Sequence, residues 1–549
     1  MDERYGEFRM LVEHFFRRFF DNDTIQVDGD TQTTVVRALS IVAMPGLTYA
    51  FFLQNQYPRP LWGEIGDHYF FVMLSFVVMG AVSIFEWEML FPDRLDFLVL
   101  SPLSLKPMQM LAAKAAALII FLALFLVGCN VFGTWVLPAV SGGDFFRQVY
   151  AHGTAVLLAG VFAALLFLAL GGVLLCVLDA ARFRLISPIM QMLSVMLLVL
   201  LILHYVQYGD SMQTLLSEPL KTARWLPPLW FLGIYEQLLH GDAAQPFAHE
   251  MARYAIRGTV TAGLVVLLTY PMAWARMRRM SIEGGSRRQG PPSRWWTRLV
   301  HGVIRRPGER AAFHFIGQTM ARNNRYQVYL AMYGGTGLAL AVACAVRFRT
   351  NGGSLKPVLF DEGLHAMMPL LLFWVIAGLH TAFAFPLNLP ARWVFRITGV
   401  NVSECTAAAR KWAFLCAASV MGCIVAVLRV AGWDMRHMVV QIVCGLCLCL
   451  LLTDGFFFFQ QSVPFNQPRM PGRTNFPLML TLYIGVLTPF IFGMIHLEML
   501  LEKNLAKLLL LGLAAIAIHV ALGVLCRGSE EVEEEMEGYE GEFQVLGLS

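Results

Sequence analysis

Apolar runs long enough to cross a bilayer recur along the whole chain, each broken by a short stretch carrying proline, glycine or charge. A helical span needs about 20 consecutive, mostly apolar residues. Twelve segments meet that need: 34–53, 68–86, 112–139, 153–178, 185–205, 257–276, 325–346, 364–385, 409–431, 437–460, 477–499 and 505–526. The pattern predicts an all-α polytopic membrane protein with about 12 transmembrane helices. Two shorter stretches are amphipathic instead. Ahead of the first span, Phe8, Leu11, Val12, Phe15, Phe16 and Phe19 recur at helical spacing, with Arg9, Glu13, Arg17 and Arg18 off that stripe. Ahead of the seventh, Phe313, Ile316 and Met320 fall in similar phase. Each is expected to lie in the membrane interface with its apolar side in lipid.

The polar stretches divide the spans six and six. Residues 277–311 are rich in Arg, Gly, Ser and Pro, which is linker chemistry suited to an anionic cytoplasmic leaflet. They separate a first six-span half, 1–276, from a second, 312–526; residues 527–549 form an acidic tail expected to be solvated and disordered. The halves repeat one another at an offset of about 300, as internally duplicated transporters do. Phe16 falls on Ile316 and Phe20 on Met320; Arg94 falls on Arg392 and Phe97 on Phe395; Lys114 and Lys411 agree within one position. Each half therefore reads as interfacial helix, two spans, a charged loop, then four spans.

Composition agrees: 57% of residues are hydrophobic and only 15% charged, where soluble domains carry about 25%. With the N-terminus inside, 29 of the 42 Lys and Arg fall on the inner side, 12 of them between Arg276 and Arg325. The positive-inside bias then predicts a multi-pass protein of the cell (inner) membrane with both termini cytoplasmic. Cysteines fall mostly within spans, and Cys444–Cys447 in span ten reads as helix packing rather than metal binding.

Catalytic patterns are lacking. A phosphate-binding loop needs GxxxxGK[ST]; Gly334–Gly335 and Gly352–Gly353 lack its ending, and GGSLKP shows no adjoining strand. His249–Glu250 lacks the second histidine of HExxH. No enzymatic activity, metal or bound cofactor is expected of this chain, nor nucleic-acid binding. Ionisable groups within spans are functional by default. Glu86, Glu88 and Asp179 lie at span ends, so Asp454 in span ten is the candidate polar residue of a translocation path. The shortage of mid-span carboxylates favours a conduit driven from outside over an ion-gradient-driven secondary transporter, which stands as the alternative. Trp225–Gly241, rich in aromatics and proline, is expected to be a re-entrant interfacial segment on the outer side.

One stretch is unlike the rest. Phe91–Leu100 places Leu95, Leu98 and Val99 on one helical face and Asp93, Arg94 and Asp96 away from it; Pro102 breaks the helix, and Lys106–Pro107 restart it into span three. A short helix held at the inner face and joined to two spans is a lever. Its counterpart between spans eight and nine carries Arg392 and Phe395.

With this lever, FFRRFFDNDTI, FEWEMLFPDRLDFLVLSPLSLKP, LPPLWFLGIYEQLL, AFHFIGQTMARN, VPFNQPRMPGRTN and FQVLGLS together resemble the permease subunits of type-2 ATP-binding-cassette exporters, in their single-chain twelve-span form. The resemblance samples nearly the whole chain. It implies that Phe91, Asp93, Arg94, Asp96, Phe97 and Lys106, with Arg392 and Phe395, dock a separate ATPase, a dimer that binds ATP and Mg while this chain forms the path. The second loop reads LPAR where the first reads FPDR, which makes it the weaker docking element.

Overall fold

A computed structural model of the protein describes residues 2–20, 31–87, 105–205, 212–217, 223–282, 302, 304–351, 354–384, 402–458, 463–465, 476–503 and 505–540. Twelve helices among them are long and apolar enough to cross a membrane, one for each predicted span. The protein is an all-α polytopic membrane protein. In hydrocarbon every backbone N–H and C=O must be satisfied within its own segment, and a helix does that for any apolar sequence.

Two compact units divide the chain, the first built on Met1–Arg288 with Arg347–Val358, the second on most of the remainder. The first contains α1 (Asp2–Phe20), α2 (Thr31–Leu53), α3 (Leu61–Phe85), α4 (Pro107–Ser141), α5 (Phe145–Val177), α6 (Ala180–Leu203), the short α7 (Met212–Leu215), α8 (Pro227–His240) and α9 (Pro246–Ile282). Its centre is α3, buried over 72% of its most apolar stretch. Helices in lipid approach closely where small residues line the crossing. A Cβ on Gly80 of α3 would stand 2.8 Å from the Phe167 ring of α5, and one on Gly160 would stand 2.9 Å from Ser75 and Met79 of α3. Ser75 donates to the Val156 carbonyl at 2.7 Å and accepts from Asn130 of α4 at 2.9 Å, so the buried polar atoms at this crossing answer one another.

The second unit contains α10 (Pro307–Arg322), α11 (Asn324–Ala345), α12 (Asp361–Ala384), α13 (Val402–Val430), α14 (Met435–Phe457), α15 (Phe476–Lys503) and α16 (Leu505–Glu540). Its centre is α12, again the second span of its half and again 72% buried. Between α11 and α12 the chain forms a hairpin, β1 (Val346–Asn351) and β2 (Ser354–Leu359). Strands thus flank Gly352–Gly353, contrary to expectation: Val346-Arg-Phe-Arg-Thr alternates with period two, and a Gly-Gly pair favours a tight hairpin turn.

Three expectations need correction. The stripe of α1 is real, but Leu11, Phe15 and Phe19 are buried and α1 packs on α4, with Phe19 stacked on Phe121 at 4.9 Å between ring centres. Likewise Phe313, Ile316 and Met320 of α10 are buried, and α10 packs on α13. These stripes face protein; an apolar face at helical spacing is satisfied as well by a neighbouring helix as by acyl chains. Trp225–Gly241 is not a surface anchor either, since α8 is a packed helix with Leu229, Phe231 and Leu232 fully buried against α3, α5 and α9. Finally, α16 continues through the glutamates to Glu540, where the charge block predicted disorder from 527. Glutamate is a good helix former, and a preceding span supplies the nucleus.

Candidate functional site

Phe91, Asp93, Arg94, Asp96 and Phe97, with Arg392 and Phe395, lie outside the described residues. What holds the ends of both loops is described. Lys106, exposed, is the residue before α4, and its backbone N–H donates to Gln109 Oε1 at 3.1 Å, capping the helix that the first loop feeds. Two turns on, Lys114 Nζ stands 5.4 Å from the centre of the Phe15 ring of α1. At the upstream end Glu86 is buried. In the second unit Lys411 of α13 forms an ion pair of 2.5 Å with buried Glu309 of α10, and Trp412 lies 6.0 Å from the Phe313 ring. The two lysines matched by the repeat therefore do the same work, each tying the third span of its half to the amphipathic helix preceding that half.

Asp454 of α14 is buried and bonded to His519 Nδ1 of α16 at 2.5 Å. It is a paired group joining the tenth and twelfth spans, with His519 half exposed. The sequence singled out Asp454 but had no means of assigning its partner, 65 positions away.

Sequence reasoning missed the most polar part of the interior. Near the N-terminal end of α3, Asp67 accepts from Tyr49 at 2.8 Å, Arg59 at 2.7 Å and Tyr57 at 3.2 Å. The next residue, buried His68, meets Glu236 of α8 with Nδ1 and Oε1 2.7 Å apart. The other oxygen of Glu236 lies 3.3 Å from His240 Nδ1. Tyr235 stacks on His68 at 4.1 Å and meets His152 of α5 with Oη and Nδ1 3.2 Å apart. Burial acts to raise the Glu236 carboxyl, but hydrogen bonds from His240 and His68 and their positive charge outweigh it and hold it at about 2. The same carboxylate raises His240 above the usual histidine range, against a smaller opposing effect of burial.

The second unit repeats this cluster. His365, near the start of α12, lies 3.2 Å from Glu498 of α15, and Gln441 of α14 donates to the same Glu498 oxygen at 2.7 Å. His68 and His365 are 297 positions apart, the offset of the repeat, and His152 and Gln441 both lie near the start of the fourth span of their half. A histidine near the start of the second span in both halves was the available signal. It is a weak one, since both carboxylates come from segments far away in sequence. The buried interior is therefore less poor in ionisable groups than the sequence implied, because charge counted at the ends of runs turns inward when helices pack.

Twelve spans, with a buried His–Glu pair inside each unit, define the class, a multi-pass membrane protein. No protein-family model matches the chain, and no curated protein or solved structure matches it either.

Proposed function

We propose that the chain is the membrane permease of an ATP-binding-cassette exporter, forming the translocation path and driven by a separate ATPase, in dimeric form, through the loops at Phe91–Lys114 and Pro390–Lys411. The Lys and Arg distribution supports the reading that both termini are cytoplasmic, with the cell membrane as the proposed site. One observation carries the reading: in each unit the helix fed by the charged loop is tied by a lysine, matched within one position between the halves, to the amphipathic helix of the same half. A push on either loop is then delivered to three elements as one body. Asp93, Arg94 and Asp96 serve as docking contacts, Lys106 sets the start of α4 against headgroups, and Asp454 lies beside the path. ATP and Mg belong to the partner.

The alternative, an ion-gradient-driven carrier, is favoured by the buried His–Glu clusters, whose groups can exchange protons. Reversing both charges, Asp93→Arg with Arg94→Asp, is expected to abolish permease-stimulated ATP turnover by a co-purified ATPase while the membrane protein keeps its elution profile. Unchanged turnover sinks the docking role. Solute movement by the purified, partner-free protein under a pH or sodium difference establishes the carrier instead.

A further inference from the structure

The charged end of α9 carries a feature that transport through the spans does not use. Residues 258–275 of α9 contain no charged side chain, and at about 1.5 Å per residue they make about 27 Å of helix, close to the roughly 30 Å hydrocarbon thickness. Arg257 therefore stands at the hydrocarbon boundary and Arg253 one turn further out, at headgroup depth. Both are exposed, and their i, i+4 spacing puts them on one face. Neither guanidinium has a hydrogen bond or ion pair among the described residues; the carbonyl of Arg257 accepts from Thr261 within the helix. Glu250, one turn before Arg253, pairs with Arg224 at 2.8 Å. Arg253 and Arg257, with Pro246, His249, Tyr254 and the paired Glu250, line a surface cavity of about 380 Å³. On the same helix face, continuing toward the bilayer centre, Val260, Leu264 and Leu267 are exposed as an apolar ridge.

Two unpaired guanidinium groups at headgroup depth, in line with an apolar rail, match the chemistry of one ligand class. We infer that Arg253 and Arg257 bind the phosphodiester of an anionic phospholipid, one acyl chain of which lies along Val260, Leu264 and Leu267. A guanidinium presents paired donors that fit a phosphate fork, and at this depth lipid phosphates are within reach of the groups that the protein leaves open. The excess of two positive charges selects an anionic headgroup over a zwitterionic one.

The test is native mass spectrometry of the full-length protein, delipidated in mild detergent and titrated with phosphatidylglycerol. A saturable one-to-one adduct is expected, reduced at least about tenfold by Arg253→Ala with Arg257→Ala, because two charge-assisted contacts are lost. The adduct should persist largely with both arginines changed to lysine, and fully in Arg182→Ala, which removes an exposed arginine elsewhere. Unchanged elution and melting temperature of the double alanine variant exclude misfolding as the cause. Val260→Asn with Leu264→Asn should weaken the adduct with both arginines intact. The inference is overturned if the alanine pair retains the adduct, if phosphatidylcholine binds equally well, or if millimolar inorganic phosphate displaces the lipid while the asparagine pair leaves it unaffected. That last result identifies a free-phosphate site.

Discussion

Glu236 is the most informative single residue to change. It is buried, accepts from His68 and His240, and is the polar tie between α8 and α3. Its carboxyl is lowered from 4.5 to about 2, which at about 1.4 kcal/mol per unit amounts to roughly 3 kcal/mol of favourable interaction in the folded state. That agrees in size with the roughly 3–5 kcal/mol cost of removing one partner from a buried pair. Glu236→Ala should therefore raise the open population of α8 by about a hundredfold or more. Hydrogen exchange of the detergent-solubilised protein reads this directly: amides of Phe231–Tyr235 should exchange about a hundredfold faster while those in the middle of α4 stay unchanged. Glu236→Gln, which keeps an acceptor for one histidine, should fall between the two.

The pH dependence has a definite sign. A carboxyl depressed by folding stabilises fully above its unfolded value of 4.5 and loses that contribution as pH falls toward about 2. His240, raised by folding, stabilises fully below 6.5 and loses its contribution as pH rises through its higher folded value. Protection of α8 should be greatest between about 4.5 and 6.5, and that maximum should vanish in Glu236→Ala. Equal exchange in wild type and variant, or acceleration spread evenly over the unit, would refute the assignment of this pair as the tie.

Two further perturbations test packing. Gly233 lies where α8 crosses α9; a Cβ there would stand 2.8 Å from the Ala248 carbonyl oxygen and 2.8 Å from the Ala252 nitrogen, which are backbone atoms that cannot turn aside. Gly233→Ala should lower the melting temperature and expose α8 to protease, whereas Gly263→Ala, whose nearest neighbour would be 3.9 Å away, should leave both unchanged. Lys411→Met should leave buried Glu309 without its cation, at a cost of about 1–3 kcal/mol; the loss should show as faster exchange in α10, and Glu309→Gln in the same chain should recover part of it.

Much of the fold was legible in the sequence. Every span predicted from an apolar run is a helix near the predicted place, because a lipid-exposed segment has almost no other way to satisfy its backbone. The apolar stripes of α1 and α10 were legible too. The lysine match across halves identified Lys114 and Lys411, which hold equivalent positions in their units.

Partnership was decided elsewhere. Periodicity states which face of a helix is apolar and cannot state whether lipid or protein covers it, so the pattern points α1, α8 and α10 to the interface while the fold packs them on helices. The His68–Glu236 and His365–Glu498 pairs span 168 and 133 positions. A hydrogen bond depends on a separation of about 3 Å in space, and nothing in the order of residues along the chain encodes that separation. Hydrophobicity, a property of each segment, determined that these helices form and cross; only their packing, a property of pairs of segments, decided which buried charges meet.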